Sequence, residues 1–412
     1  MKGVFLTLTL WVVMSMFGLS PALAGEIDVL VDKLMKKGLL SRQEAEVVIE
    51  RTRQQAIRER EVSPAPPGSV PEWVRKMKVK GDFRLRYQWE RKKSREDRNR
   101  GRYRFRLGVN TEVADDFSFG FGLATGGTDP RSTNQTMVNS FETPDIRLDY
   151  AFVRYAASPL LALYGGKFKR KPVLWQTSDL LWDSDIRPEG IAAVVNKGLS
   201  DNVSSFLNAG VFVLDESSAD TSDPMMYVLQ PGVKWQALDD VHLKVALAYY
   251  GFSGVKGASL AHNSGTNSLD GSGNLLYKYN SINPNVELGL SEPLPGAVSY
   301  AALFADYVYN SDPSDDNQGF LLGFKLGDKK VKRRGQWQFK YAYRRLEKDG
   351  WLDAFPDSDF YGGETNVKGQ EWIFDYALRK NVVFGLDYYY TENINGVRKP
   401  ENLLQVDLKL KF

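Results

Sequence analysis

From about residue 77 to its last residue, this chain alternates apolar and polar side chains. Val79, Phe83, Leu85, Tyr87 and Trp89 alternate with Lys80, Asp82, Arg84, Arg86 and Gln88. Phe117, Phe119, Phe121 and Leu123 alternate with Ser118, Gly120, Gly122 and Ala124, and Trp337, Phe339, Tyr341 and Tyr343 with Gln336, Gln338, Lys340 and Arg344. The last segment sets Leu404, Val406, Leu408, Leu410 and Phe412 against Gln405, Asp407, Lys409 and Lys411. A period of two belongs to strands with one apolar and one polar face. The pattern predicts sixteen strands, near 77–91, 100–113, 117–126, 144–156, 160–168, 188–197, 203–214, 225–235, 241–251, 277–290, 297–309, 318–327, 335–347, 368–379, 382–391 and 401–412. Tight turns at 114–116, 199–202, 237–240 and 380–381 contrast with long connections at 127–143, 169–187, 215–224, 252–276 and 348–367.

A soluble sandwich would bury the apolar faces against each other, whereas a membrane barrel turns them to lipid and keeps the polar faces in a wet lumen. The strands are near ten residues long, where globular strands average about five or six. Aromatic residues stand at several strand ends (Trp89, Tyr103, Tyr343, Tyr390), as an interfacial girdle requires. Short connections on one side and long ones on the other complete the pattern. The fold class expected is an all-β transmembrane antiparallel β-barrel of about 16 strands, with a short N-terminal α-helical segment.

Residues 1–24 read as a cleaved secretory signal: Lys2, an apolar run from Val4 to Leu19, and Ala22-Leu23-Ala24 as the small-residue cleavage site. Residues 25–61 read as a periplasmic helical head. Ile27, Leu30, Val31, Leu34 and Met35 lie on one helical face, and Ser41-Arg42-Gln43-Glu44 is a capping box for a second helix. A hairpin this small buries too little to stand alone, so two readings stay open: it packs against copies of itself or another envelope component, or it is a frayed, half-ordered tail. Residues 62–76 read as a linker, Pro-rich over 62–71, before the barrel at 77–412.

Composition then removes alternatives. The 412 residues include no cysteine and two histidines, His242 and His262. Disulfide scaffolds and thiolate chemistry are excluded, and histidine-based metal clusters or triads nearly so. Asp312 to Gly319 is acidic but lacks the spacing of a calcium loop, and His262-Asn263-Ser264 sits in a Gly/Ser/Asn-rich loop. No catalytic residue, metal or cofactor is expected. The mean hydropathy of −0.37 suits alternating barrel strands as well as a soluble protein.

Several motifs resemble those of known porins. Tyr164-Gly165-Gly166-Lys167-Phe168-Lys169 resembles the strand end before the third loop of sixteen-stranded porins, and Asp183 to Gly190 resembles the stretch where that loop returns to the wall. Lys37-Gly38-Leu39-Leu40-Ser41-Arg42-Gln43-Glu44-Ala45 is similar to the segment preceding barrels of the putative-porin family. Phe412, with apolar residues at every second position before it, resembles the C-terminal assembly signal of bacterial outer-membrane barrels. The resemblance implies a trimeric porin of a Gram-negative outer membrane, in contact with its lipids and lipopolysaccharide. It also implies a constriction loop, 168–187, folded into the lumen and carrying Lys169, Arg170, Lys171, Asp179, Asp183 and Asp185.

Charge sharpens the expectation. The whole chain carries +3, yet residues 75–106 carry fifteen Lys or Arg and four acids, net +11. Period two puts Lys80, Arg84, Arg86, Arg102, Arg104 and Arg106 on the polar face, with Lys340 and Arg344 on a later strand. On the lipid face, each would cost about 2–4 kcal/mol at mid-bilayer, so these residues are expected to line the pore. Two such strands side by side resemble the arginine ladder of phosphate-type porins. The function expected is passive diffusion of small hydrophilic solutes, with two readings of the basic wall open. Either it prefers anions, or it faces an acidic loop and sets up a transverse field without strong selectivity. Residues 91–100 also suit lipopolysaccharide phosphates. The competing class is a structural or adhesive barrel with a plugged lumen and a head that contacts the cell wall. A nucleic-acid partner is not expected for an exported barrel.

Overall fold

The structure, a computed structural model, describes residues 70–216 and 223–412, together with Met35, Ser41, Gln43 and Ala45. The leader at 1–24 lies outside the described residues, as do most of the 25–61 head and the 62–69 part of the linker. Met35, Gln43 and Ala45 are helical, and the Ala45 amide donates to the Ser41 carbonyl at 3.0 Å. Within the expected linker one helical turn forms, α1 (Glu72–Arg75), with Pro71 at its N-cap and a Lys76–Glu72 pair at 3.1 Å. Proline suits a helix start because its missing N–H has no intrahelical partner there anyway.

Residues Met77–Phe412 form one compact unit. Among the described residues sixteen antiparallel strands close into a barrel. The first eight are β1 (Lys78–Lys92), β2 (Arg98–Glu112), β3 (Phe117–Ala124), β4 (Arg147–Ala156), β5 (Leu161–Lys167), β6 (Glu189–Gly198), β7 (Val203–Val213) and β8 (Met225–Gln236). They continue as β9 (Val241–Ser253), β10 (Ser281–Leu294), β11 (Val298–Asn310), β12 (Gln318–Gly327), β13 (Trp337–Leu346), β14 (Val367–Arg379), β15 (Val382–Asn393) and β16 (Glu401–Lys411). Each strand pairs with its neighbour in sequence, and β1 closes the ring against β16 with Asp82 opposite Lys411 and Arg86 opposite Asp407. A two-residue piece, Gln135–Thr136, covers part of β2 beyond the end of β3.

All sixteen expected strands form, with one register correction. The strand expected at 277–290 runs instead from Ser281 to Leu294. Pro284 sits inside it opposite Leu247. A proline has no ladder N–H to give. The Asn283 side chain donates instead to the Tyr307 carbonyl of β11, which bridges the interruption. The alternation of connection lengths is less strict than expected: 328–336 is long at the short-turn end, and 93–97, 311–317 and 394–400 are brief at the other.

Burial runs inside out relative to a soluble protein. Along β1, Leu85 and Tyr87 are 43% and 49% exposed, while Arg84, Arg86 and Gln88 between and beside them are 9%, 2% and 2% exposed. Leu163, Leu207, Leu229, Leu247, Leu303 and Leu322 also face outward. Such a surface suits hydrocarbon and not water.

The interior divides in two. On the side of β6 to β13 it is filled by an apolar core to which three loops contribute: 168–188, 254–280 and 347–366. Trp182 stacks on Phe355 with ring centres 5.1 Å apart, and Tyr250 meets Trp351 edge-on at 4.8 Å. The Trp351 indole donates to the Leu181 carbonyl at 2.8 Å, and the Tyr279 hydroxyl to Asp349 at 2.7 Å. The 168–188 loop is tied to the wall at each step. Trp175 N–H donates to Gln230 at 2.9 Å, Thr177 Oγ1 to Asn285 at 3.0 Å and Ser178 Oγ to Asp306 at 2.6 Å.

Candidate functional site

The loop 168–188 leaves and rejoins the wall at two glycines that face each other across β5 and β6, Gly166 (φ +111°) and Gly190 (φ +147°). A Cβ at Gly166 would lie 2.5 Å from the Ala151 carbonyl oxygen. Only glycine fits such a backbone at both strand ends. These are the glycines of the two strand-end motifs picked out in the sequence, and between them the chain turns into the barrel.

On the other side of the barrel the polar faces of β1, β2 and β16 meet. Antiparallel register sets Arg84 directly opposite Arg104 and Arg86 opposite Arg102. Like charges opposed in this way repel, so the ladder needs counter-charges. Arg86 is locked: its Nε and Nη2 make a bidentate pair with Asp407 at 2.7 and 2.8 Å, and its Nη1 reaches Asp359 at 3.0 Å. Arg104 and Arg106 share Asp82 at 2.7 and 2.8 Å, and Arg106 also reaches Asp185 at 2.9 Å. Arg84 and Arg102 are different. Arg84 donates to the Asn134 amide oxygen at 2.5 Å and stands 3.7 Å from Asp407. Arg102 donates to Gln88 at 3.2 Å and Ser132 at 3.4 Å, with no carboxylate at ion-pair distance among the described residues. The Nε atoms of both are buried without an acceptor. Arg84 and Arg102 are thus the loosely paired, reserve guanidiniums of the ladder.

Three loops face them. The 168–188 loop brings Asp183 and Asp185, the 347–366 loop brings Asp357 and Asp359, and the 125–146 loop brings Ser132, Thr133 and Asn134. Asp185 accepts from Thr133 Oγ1 at 2.8 Å, and Asp183 accepts from the Ser358 amide at 2.9 Å, so the three loops are tied together. Burial by itself would raise the Asp185 carboxyl. The guanidiniums of Arg104, Arg106 and Arg187 outweigh it and hold the group below the usual carboxylate range. Asp183 has no ladder arginine at ion-pair distance among the described residues. Burial, and then the negative charge of Asp185, push it up to about 8. Burial and the charges of Asp179 and Asp183 also push Asp357 well above its ordinary value.

Two cavities lie along the ladder. One, of about 490 Å³, adjoins Lys80, Asp82, Arg104 and Arg106, toward the short-turn end of β1. Its lining holds seven basic groups, among them Lys169, Lys171 and Arg187, against three acidic ones, net +4. The other, of about 310 Å³, adjoins Gln88, Lys92, Arg100 and Arg102, toward the long-loop end. Its lining holds five basic and five acidic groups, net zero. Arg84 and Arg86 lie on β1 between Asp82, which lines the one, and Gln88, which lines the other.

The other residues singled out in the sequence are placed as follows. Lys80, Lys169 and Lys171 are exposed to the larger cavity, with Lys169 over the Tyr150 ring at 4.5 Å. Arg170 lines the same cavity. Lys340 pairs with Glu371 at 3.2 Å and stands 3.8 Å from Asp179. Arg344 points inward but is 1% exposed, covered by the Leu180 carbonyl at 3.2 Å and the Phe360 ring at 4.5 Å, so it ties loops to the wall. Phe412 exchanges backbone hydrogen bonds with Gly81 at 2.9 and 3.0 Å, and its ring is 59% exposed on the outer surface. The sequence reading missed Asp359, Ser132 and Asn134. The signal available was Asp353 to Asp359, an acid-, Pro- and Phe-bearing stretch too structured in composition for a plain solvated loop.

A family model described as "Putative porin" matches residues 88–286 and 269–412. The chain is similar to OprB of Pseudomonas putida, with 12% identity over 83% of this chain and 96% of that one and a TM-score of 0.52. OmpF of Salmonella typhi (11% identity, 82% and 97% covered, TM-score 0.47) and a mutant of Rh. blastica porin (12%, 82% and 100%, 0.45) also match. At such identities the likeness is one of fold. No curated protein matches the chain.

Proposed function

Given that the chain belongs to the "Putative porin" family and folds as an outer-membrane channel barrel, we propose that it passes small hydrophilic solutes passively and prefers anions. The observation that carries the preference is the unequal pairing along the ladder. Arg86, Arg104 and Arg106 make close ion pairs with Asp407, Asp82 and Asp185, while Arg84 stands 3.7 Å from Asp407 and Arg102, which lines the smaller cavity, has no carboxylate at ion-pair distance among the described residues. A guanidinium offers a planar fork suited to carboxylate and phosphate oxygens. The net positive charge of the larger cavity supports the same reading, since pore selectivity follows the charges that line it. The proposal includes a homotrimer in a Gram-negative outer membrane, exported by cleavage of residues 1–24, with Phe412 as its assembly signal.

Reversal potentials of the purified protein in a planar bilayer, under a salt gradient, test the preference. The expected sign is that of anion permeation, reduced several-fold in the ratio of anion to cation permeability by Arg84→Gln with Arg102→Gln. A cation-selective wild-type channel would overturn the reading and leave the transverse field of ladder and acidic loops as the account of the site. The second reading, a structural barrel, is favoured by the apolar core on the β6 to β13 side. A purified protein that inserts in bilayers without conducting would establish it.

A further inference from the structure

The short-turn rim of the barrel is electrically two-sided. The turns after β2 and β8 carry Asp115, Asp116, Asp239 and Asp240, all exposed. The connection from β12 to β13, residues 328–336, instead carries Lys329, Lys330, Lys332, Arg333 and Arg334, also exposed. The chain spends order on this turn. Asp328 accepts from the Trp337 amide at 2.9 Å and the Ser299 hydroxyl at 3.0 Å, which occupies its carboxylate. Gln336 Oε1 accepts from the amides of Lys332 and Arg333 at 3.0 and 2.8 Å. The turn leans on its neighbour: Asn381 N–H donates to the Lys332 carbonyl at 2.8 Å, which adds the exposed Arg379 and Lys380 to the same arc.

Among the described residues, no carboxylate lies at ion-pair distance from any of these seven cations. Lys329 alone has a ring partner, Tyr300 at 5.1 Å. The arc therefore holds ordered, unneutralised charge, although the protein supplies acids elsewhere along the same rim. Its position is specific as well. The outer faces of the strands leading to it carry Leu326, Tyr376, Leu378, Leu408 and Phe412, each more than a third exposed. An aromatic and aliphatic band followed at once by cations matches the order of layers in a bilayer, hydrocarbon and then phosphate.

We infer that the arc formed by residues 329–334 and 379–380 is a docking surface for anionic phospholipid headgroups of the leaflet that meets the short turns. The cations engage phosphate oxygens while the apolar band holds the acyl chains, so the barrel gathers anionic lipid on one side of its perimeter. An acidic soluble protein is the competing occupant. The apolar band beside the cations favours the lipid, because a soluble partner would leave those side chains without a role in binding.

Native mass spectrometry of the full-length protein in detergent, titrated with phosphatidylglycerol or phosphatidylcholine, tests this. Wild-type protein is expected to retain phosphatidylglycerol on the order of tenfold more tightly, with the difference shrinking as salt rises. Replacing Lys329, Lys330, Lys332, Arg333 and Arg334 together by Gln should remove the difference. Arg379→Gln with Lys380→Gln should reduce it partly, and Asp239→Asn with Asp240→Asn should leave it in place. Heat-modifiable gel mobility checks that each variant is a folded barrel. Equal retention of both lipids by the wild type, or undiminished phosphatidylglycerol preference in the five-fold variant, would overturn the inference. So would capture of a soluble polyanion by the arc without any phosphatidylglycerol preference, which would assign the surface to a soluble acidic partner.

Discussion

The two halves of this lumen are built from the same kind of strand and do opposite things. On the β6 to β13 side, inward faces such as Phe212, Met226, Val228, Tyr250 and Phe304 are apolar and meet Trp182, Trp351 and Leu352 from the loops. On the side of β1, β2 and β16, inward faces carry Arg84, Arg86, Arg102, Gln405 and Asp407, and two cavities remain. Charged side chains keep their surroundings hydrated or pair with specific partners, whereas apolar ones close against each other. The proposed pore therefore lies where the inward faces are charged, and the inward loops are held by the apolar half.

Breaking the filled half should have the largest effect. Trp351→Ala removes a side chain that touches Tyr250, Trp182 and Phe355 and donates to Leu181. A loss of about 3–5 kcal/mol is expected for such a buried aromatic. Thermal unfolding of the detergent-solubilised barrel would register it, and single-channel conductance should rise as the three loops loosen. An unchanged conductance would mean that the loops are held by their polar ties to the wall instead.

The next effect is on the ladder. Arg86→Gln removes the bidentate partner of Asp407 and the contacts to Asp359 and Asp387, in a site where Arg86 itself is 2% exposed. The expected cost is about 2–3 kcal/mol, below the full cost of breaking a buried pair because Arg84 and Lys409 stay 3.7 and 3.8 Å from Asp407. The matched change Arg102→Gln, which breaks no ion pair, should cost less than about 1 kcal/mol. Chemical denaturation of the two variants side by side measures the difference, and equal costs would remove the distinction between locked and reserve guanidiniums.

The smallest effect is a titration. Asp183, pushed up to about 8, is mostly protonated at neutral pH and ionises as pH rises through that value. A negative charge then joins the loop face of the constriction, so the ratio of anion to cation permeability should fall, roughly twofold, between pH 7 and pH 9. Asp183→Asn should flatten the response. Reversal potentials across that range give the answer, and a rising ratio would contradict the sign.

Much of this was written in the one-dimensional pattern. Period two decided strand positions, because a strand exposed to two different solvents must sort its side chains by face. That sorting placed Arg84, Arg86, Arg102, Arg104 and Arg106 together before any pairing was known. The filled half left a signal that the strand pattern alone did not turn into an expectation: Ala248-Tyr249-Tyr250-Gly251-Phe252 and Val211-Phe212-Val213 lose their polar member, as strands apolar on both faces must. Other features had no linear signature. Asp359 lies 273 positions from Arg86, and Asp407 lies 321 positions away. Nothing local could tell which carboxylate would neutralise which guanidinium. The sequence by itself determined which face of each strand is wet, since that is set by alternating side-chain chemistry a few residues at a time. Only the closed barrel and its three inward loops decided which charges cancel and where cavities remain along the ladder, because ion pairing falls off steeply with distance and the chain brings these partners within reach only on folding.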